Sequence, residues 1–247
     1  MRHGVFCKHF GRSSITATVN QSIFFSKGSS YRISHPSDCG DRGTTFELPM
    51  RILNDIIREL DPSIDDHPES PFSFATGPCD SNIFSRHRDL VRQLENAGSH
   101  PLEPLWADVT AIQLVADVLE NAFARQGVSR SRHRDGTVAD HVERTEAAKM
   151  YMANRLGERI TLDDIAREVH SSPFNFARIF QRHAGIPLHR YLTQLRLRSA
   201  MERLLDGTDD ITGLALELGF SSHSHLTETF RREFGSTPSE VRRRPLK

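Results

Sequence analysis

The sequence predicts an α+β fold, in which a β-rich N-terminal region and several helices precede an all-helical C-terminal domain. Three observations support this. Residues 1–50 contain short runs of β-favouring residues separated by turn residues. From Pro49 onward, apolar side chains recur at helical spacing. A stretch of the C-terminal half occurs twice, which indicates a duplicated structural unit. The length of 247 residues allows two domains.

Short runs of β-branched and aromatic residues in the first 50 positions are typical of strands. Turn signals rich in Gly, Ser and Asp separate these runs, for example at 27–29 and 41–43. We therefore expect five strands, at Val5–Phe6, Ile15–Val19, Ile23–Phe25, Tyr31–Ser34 and Thr44–Leu48.

Three helices are predicted to follow, at Pro49–Leu60, Ser81–Ala97 and Pro104–Arg125. The third is apolar on more than one face, so it needs more than one packing partner. We expect the hairpin that the second and third helices form to pack on the β-region; the equally supported alternative, a dimer interface, is implied only by the family resemblance given below. Residues 127–143 follow; their first part is charged and contains Ser and Gly without apolar periodicity, so we predict a flexible interdomain linker.

The repeated stretch of the C-terminal half keeps its residue order and almost constant spacing. Ala166 and Ala215 are 49 residues apart, and Gly185 and Gly235 are 50 residues apart. The one-residue slip falls at the intervening turn, beside His170. Each copy is predicted to form helix, short turn and helix, which is the outline of a helix-turn-helix. In that motif the second helix fits the major groove of DNA.

Capping residues and apolar periodicity define the helices of both copies. Residues of N-cap type precede each helix, and a long helix beginning at Pro187 joins the copies. The expected N-caps are Thr161 with Asp164, Ser172 before Pro173, Thr208 or Asp210, and Ser222. The expected inner faces are Leu162, Ile165, Ala166 and Val169; Phe176, Ile179 and Phe180; Ile211, Leu214, Ala215 and Leu218; and Leu226, Phe230 and Phe234.

These features resemble the AraC/XylS family of bacterial transcription regulators over Thr145 to Pro245. The strongest segment, GFSSHSHLTETFRREFGSTPSEVRR from Gly219 to Arg243, is similar to that family's second helix-turn-helix. Ile160 to Leu204 is similar to its first helix-turn-helix and connecting helix. In the N-terminal half, SIFFSKGSSYRISHP, Ser22 to Pro36, resembles the sensor-domain hairpin of the same family, where a small cupin-like β-barrel precedes the DNA-binding part.

The resemblance implies a division of the chain into three segments. Residues 1–126 are expected to be a sensor or dimerisation domain with a reduced cupin-like β-region at 1–50 and helices at 81–126. Residues 127–143 are the linker, and 144–247 are the double helix-turn-helix domain. A full jelly roll needs about eight strands, so five leave either a reduced open sheet, which we favour, or a chain whose first strands are missing. An effector pocket is a speculative possibility, lined by Phe24, Tyr31, Ile33 and Phe46.

The resemblance also implies that outward residues of the two second helices contact DNA. Arg178 suits bidentate recognition of a guanine, and Glu228 can accept from a cytosine amino group. Arg182 and Arg231 suit phosphates, which position a protein without specifying sequence. Any of them can also be an ordinary solvated side chain. The predicted DNA-binding set is Phe174, Asn175, Ala177, Arg178, Arg182, His223, Ser224, Thr227, Glu228 and Arg231.

The charge distribution agrees with a DNA-binding C-terminal part, and the cysteine content agrees with a reducing compartment. Residues 144–247 hold 17 Lys and Arg against 13 Asp and Glu, so the predicted DNA-binding part is the basic part of a chain with zero net charge. Three scattered cysteines favour a reducing compartment, and the absence of a long apolar run favours a soluble cytoplasmic protein without membrane contact. We expect no catalytic residues, no metal site, His35 and Cys39 included, and no cofactor.

The partners that the resemblance implies are promoter DNA and, with less support, RNA polymerase, a small-molecule effector and a second copy through residues 81–126. One alternative is a cupin-type enzyme or a repair protein that carries an AraC-like DNA-binding domain. Another is a dimerisation protein that has lost DNA binding. The effector, the operator, the sign of regulation and the oligomeric state are not given by the sequence.

Overall fold

The computed structural model describes residues 1–36, 40–96, 104–128 and 135–243. The fold is α+β, as predicted, with two small antiparallel sheets and a mainly helical remainder. Contacts between Cα atoms divide the chain into two compact units. Within the described residues, the larger unit comprises Met1–Asn20, Tyr31–Gly43 and 135–243, and the smaller unit comprises Gln21–Ser30 and 44–128.

The larger unit begins with a three-stranded antiparallel sheet in the order β2-β1-β4. Its strands are β1 (Phe6–Phe10), β2 (Ser13–Ala17) and β4 (Arg32–Ser34). In the β1–β2 hairpin Phe10 lies opposite Ser13, and Gly11 supplies the left-handed backbone of the turn with φ of 56°. Residues on both faces of this hairpin are buried: Ile15 and Ala17 lie on one face and Cys7 on the other, and all three are almost inaccessible to solvent.

Seven helices complete the larger unit. They are α4 (Asp135–Ala153), α5 (Leu162–Glu168), α6 (Pro173–Ala184), α7 (Leu188–Leu205), α8 (Ile211–Glu217), α9 (His223–Phe234) and α10 (Pro238–Arg243). The two predicted helix-turn-helix units are therefore α5–α6 and α8–α9, and α7 connects them. Leu195, Leu197 and Ala200 on α7 are buried, which makes this helix the centre of the core.

The N-terminal hairpin is hydrogen-bonded to α4 and α7 by a set of buried polar groups. The Thr16 backbone amide donates to Glu146 Oε2 over 2.5 Å. The hydroxyls of Thr18 and Tyr191 share a hydrogen bond of 2.6 Å, and Arg198 Nη1 donates to the Val19 carbonyl over 2.6 Å. Because polar groups this deeply buried need partners, these bonds explain why the first 20 residues belong to the same compact unit as the helix-turn-helix units.

The smaller unit is a separate packed core. It comprises β3 (Gln21–Ile23), α1 (Met50–Leu60), a 3₁₀ helix (Pro62–Asp66), β5 (Thr76–Pro78), α2 (Ser81–Glu95) and α3 (Pro104–Val128), and β3 pairs with β5. Ile57 and Leu119 are fully buried, and the ring of Phe24 packs 4.9 Å from the ring of Phe74, measured between centroids. A Cβ on Gly77 would lie 2.8 Å from the Cβ of Ala122, so β5 approaches α3 only because residue 77 has no side chain.

Some predicted elements differ from the structure. Thr44–Leu48 forms no strand, and the fifth strand is Thr76–Pro78, which was not predicted. The predicted linker, 127–143, is largely helical, since α3 continues to Val128 and α4 begins at Asp135; residues 129–134 lie outside the described residues. The linker prediction took in only the first part of α4, 135–143; the buried positions of this helix, Thr145, Ala148 and Met152, come after that part, so 138–143 gave no apolar periodicity.

The predicted segments do not coincide with the compact units. Residues 1–20, expected in a sensor domain, group with the C-terminal helices. The four residues proposed to line an effector pocket also separate, since Phe24 and Phe46 lie in the smaller unit and Tyr31 and Ile33 in the larger one. The five strands of the described residues form two small sheets. Cys39 and the helix end predicted at Ala97 lie outside the described residues.

The helices also bear on membrane insertion. Within the described ranges, none combines the length and apolar composition that crossing a bilayer requires.

Candidate nucleic-acid interface

The recognition helices α6 and α9 are each fixed by an apolar inner face. Phe176 and Phe180 of α6 are fully buried, and Leu226 and Phe230 of α9 are equally buried. These residues lie three to four positions apart, so they share one side of each helix. The opposite side of each helix is consequently turned to solvent.

The described residues include all ten of the predicted DNA-binding positions, and most are exposed. Phe174 is 78% exposed, which is unusual for a large aromatic side chain. Ala177 and Thr227, which occupy equivalent positions in the two helices, are only half-buried. The exposed positions are Phe174, Asn175, Arg178, Arg182, His223, Ser224, Glu228 and Arg231.

Several of these polar side chains are not engaged within the protein. Among the residues that the structure describes, Arg178, His223 and Glu228 make no hydrogen bond or ion pair. Their neighbour His225 differs, because its Nδ1 lies 3.0 Å from Ser221 Oγ and its ring packs 5.4 Å from that of Phe220. The unengaged groups are therefore available to a ligand, whereas His225 stabilises the start of α9.

The turn between the helices has the same backbone in both units. In the first, the Ser171 amide donates to the Ala166 carbonyl over 2.9 Å, and in the second the Phe220 amide donates to the Ala215 carbonyl over 2.9 Å. Both turns need a left-handed residue, which is Gly219 with φ of 73° in the second and His170 with φ of 49° in the first. His170 is the one non-glycine residue with positive φ in the described part of the chain.

The helix starts use different chemistry in the two units. Thr161 and Asp164 form a reciprocal capping box before α5, and these hydrogen bonds lower the pKa of the Asp164 carboxyl. Asp210 caps α8 by accepting from the Gly213 amide over 2.9 Å. Ser222 accepts from the His225 amide at the start of α9. Leu162 was predicted to face the core, but it is 40% exposed because the first turn of α5 extends beyond the buried face.

The two recognition helices differ in charge. Helix α6 carries Arg178 and Arg182 and no acidic residue, whereas α9 carries two arginines and two glutamates. Arg178 and Glu228 occupy the same position, 50 residues apart, so the sign of the charge reverses at the centre of the exposed face.

Two arginines near the turns were not singled out by the sequence analysis. Arg144 on α4 and Arg196 on α7 each donate to the carbonyl of a left-handed turn residue, over 3.0 Å to His170 and 3.2 Å to Gly219. The signal that could have found them is their common place in the sequence, nine positions before the last residue of each helix.

The C-terminal part of the chain is similar in sequence to known proteins. Residues 165–244 match a family model described as a helix-turn-helix domain. A solved transcriptional regulator of Chromobacterium violaceum, described as AraC-type, is 32% identical; the match covers 40% of this chain and 89% of that chain with a TM-score of 0.39. Residues 165–244 are therefore a helix-turn-helix domain of the AraC type.

Two curated relatives of the chain are regulators by name. The HTH-type transcriptional activator RhaS of Escherichia fergusonii is 32% identical over 165 residues, which cover 66% of this chain and 55% of RhaS. The regulatory protein PocR of Salmonella typhimurium is 30% identical over 102 residues, which cover 41% of this chain and 34% of PocR. The chain thus spans about half or less of the length of these relatives.

The enzyme alternative receives no support from these relatives, which are named as a transcriptional activator and a regulatory protein. The described residues contain no group of three or more His, Cys, Asp or Glu side chains that could hold a metal ion.

Proposed function

We propose that this protein is a sequence-specific regulator of transcription that inserts α6 and α9 into two successive major grooves of promoter DNA. The observation that carries the proposal is the pair of duplicated helices on which three exposed polar side chains, Arg178, His223 and Glu228, make no hydrogen bond or ion pair within the described protein. Groups held on a rigid helix without internal partners suit contacts to base edges.

The contacts divide into base contacts and phosphate contacts. We assign base contacts to Phe174, Ala177 and Arg178 in the first unit and to His223, Ser224 and Glu228 in the second, with Thr227 beside them. Asn175, Arg182 and Arg231 are assigned to the backbone, where they position the helices. Two recognition helices in adjacent major grooves imply half-sites separated by about one helical turn, ~34–36 Å.

The remainder of the chain is proposed to control this activity. We propose that residues 1–126 act as a sensor or dimerisation domain. In the first case they bind a small-molecule effector, and in the second they form a homodimer through 81–126. The relative RhaS is named an activator, and on that basis we propose that bound protein contacts RNA polymerase.

Selection of binding sites from a random DNA library with the purified full chain tests the proposal. The expected result is an enriched motif with two half-sites about one helical turn apart. Enrichment of a single half-site would restrict recognition to one helix-turn-helix. A full chain that enriches no sequence at moderate salt, and binds selected and random duplexes equally, would contradict sequence-specific recognition.

A further inference from the structure

The duplication extends to the helix before each helix-turn-helix. When the last residues of α4 and α7 are aligned, each buried position of α4 falls on a buried position of α7, and two arginines coincide as well. The coinciding buried pairs are Thr145 with Leu197, Ala148 with Ala200, and Met152 with Leu204; the coinciding arginines are Arg144 and Arg196. The repeated unit is thus three helices long, and each copy contains one arginine at the same place.

Each arginine binds the turn of its own copy. Arg144 Nη1 donates to the His170 carbonyl over 3.0 Å, and Arg196 Nη1 donates to the Gly219 carbonyl over 3.2 Å. Both acceptors belong to the left-handed residue that sets the direction in which the recognition helix leaves the turn. A charged donor bound to this carbonyl is a stronger tether than a neutral one.

Arg196 makes two further bonds that Arg144 does not have. Its Nε donates to the Leu156 carbonyl over 2.8 Å and its Nη2 donates to the Glu158 carbonyl over 2.7 Å. Both carbonyls belong to the connection between α4 and α5, which is part of the first copy. Arg144 instead pairs with Asp140, one turn earlier on its own helix, at 3.0 Å. One guanidinium therefore joins the two copies, and the other stays within one copy.

We propose that Arg144 and Arg196 are positioning residues for DNA recognition, Arg144 for α6 alone and Arg196 for both α9 and the spacing between the two recognition helices. This inference rests on the proposed function. Neither side chain needs to touch DNA, because each acts through the backbone of a turn. The guanidinium carries N–H donors on Nε and on both Nη atoms, which lets Arg196 reach three carbonyls at once.

Methionine variants test the proposal in the full chain, since Met retains an unbranched apolar stem and lacks donors. Binding is measured to the selected site, to versions with one half-site scrambled, and to versions with one base pair added or removed between half-sites. Arg144→Met is expected to reduce discrimination at the α6 half-site about tenfold, the effect of one charged hydrogen bond, and to leave the α9 half-site unchanged. Arg196→Met is expected to reduce discrimination at the α9 half-site and to make the three spacings bind almost equally.

Lysine variants separate positioning from simple loss of charge. A lysine ammonium can still donate to one carbonyl, so Arg144→Lys is expected to keep most of the discrimination that Arg144→Met loses. Arg196→Lys cannot reach three carbonyls, so it is expected to keep only part of the discrimination that Arg196→Met loses. The matched control is Arg203→Met, which removes the same charge from α7 but breaks an ion pair with Glu217 instead of a turn contact. The control is expected to weaken all sites equally and to preserve both the discrimination and the spacing preference.

Hydrogen–deuterium exchange in the absence of DNA gives an independent measurement. Arg144→Met should accelerate amide exchange at 169–172 and leave 218–221 unchanged, and Arg196→Met should do the reverse. Equal loss at both half-sites, or unchanged exchange at both turns, overturns the inference while the proposed function stands. A wild-type chain without sequence preference overturns the proposed function and the positioning role together, and the exchange result then shows only whether the turn tethers exist.

Discussion

The two helix-turn-helix units of this chain have the same backbone, but they reach it with different residues. Both turns close with the same 2.9 Å hydrogen bond, and both recognition helices end at a left-handed glycine, Gly185 and Gly235. The left-handed turn residue, however, is His170 in the first unit and Gly219 in the second. The two copies therefore share the backbone conformation of the turn, although the residue at its left-handed position differs.

Space explains why the second unit holds a glycine. A Cβ on Gly219 would lie 2.6 Å from Arg196 Nη2 and 3.0 Å from the Leu156 carbonyl oxygen. The arginine that binds the second turn therefore lies so close that no side chain fits. Histidine tolerates positive φ better than most residues do, which is consistent with its place in the first turn.

The exposed faces differ more than the scaffolds do. Helix α6 carries arginine at the position where α9 carries glutamate, and α9 balances its arginines with acids. Because cations attract phosphates regardless of sequence, we expect the first helix to supply more of the salt-dependent affinity. The second helix depends more on the match between its polar side chains and base edges.

The largest expected effect is on the free energy of unfolding, when the second turn is given the histidine of the first. Gly219→His should destabilise the chain by about 3 kcal/mol, because it adds backbone strain and a close contact with Arg196. The measurement is urea unfolding followed by circular dichroism. His170→Gly is the matched control; relief of strain and the entropy cost of glycine oppose each other, so the change should stay below about 1 kcal/mol. A Gly219→His variant as stable as the control would show that the two turns are equivalent.

A smaller effect is expected from the exposed faces. Arg178→Ala should cost about 1–3 kcal/mol of binding to the selected site and relax the base preference at one position of the first half-site. Glu228→Ala should change base preference at the equivalent position of the second half-site and leave the salt dependence less affected, since it removes no cation. Gel-shift titrations at several salt concentrations measure both. If the two variants lose the same affinity with the same change in salt slope, the proposed difference between the helices is wrong.

The smallest effect distinguishes the caps of the recognition helices. Ser222→Ala should cost about 1 kcal/mol, because the Ser222 side chain accepts from the His225 amide. Ser172→Ala is the matched change in the first unit, and it should cost less, since among the described residues the Ser172 side chain makes no capping hydrogen bond. Thermal unfolding of both variants provides the comparison, and a larger loss for Ser172→Ala would contradict it.

Local signals were sufficient to predict most of the C-terminal fold from the sequence. Thr161, Asp210 and Ser222 cap their helices as expected, and Phe176, Phe180 and Phe230 are buried as expected. Each of these predictions depends on residues a few positions apart, where spacing alone decides which face is buried.

Features set by tertiary contacts could not be predicted. Strand β5 is only Thr76–Pro78, and it forms because Gly77 fits against Ala122. The first part of α4, 135–143, was taken for linker because the buried face of this helix begins only at Thr145. The roles of Arg144 and Arg196 depend on carbonyls 26 and 23 residues away, which no local pattern identifies. The assignment of the ten predicted DNA-contact residues remains a prediction until binding is measured.

The hydrogen bonds of the N-terminal hairpin determine how late in translation the larger unit can finish folding. Thr18 bonds to a residue 173 positions later, and Val19 accepts from one 179 positions later. Because a ribosome adds residues in order, the first strands emerge long before α4 and α7 exist to receive them. The larger unit therefore completes its core only after nearly the whole chain has been translated. Until then Ile15 and Ala17, which are buried in the folded unit, lack the residues against which they finally pack.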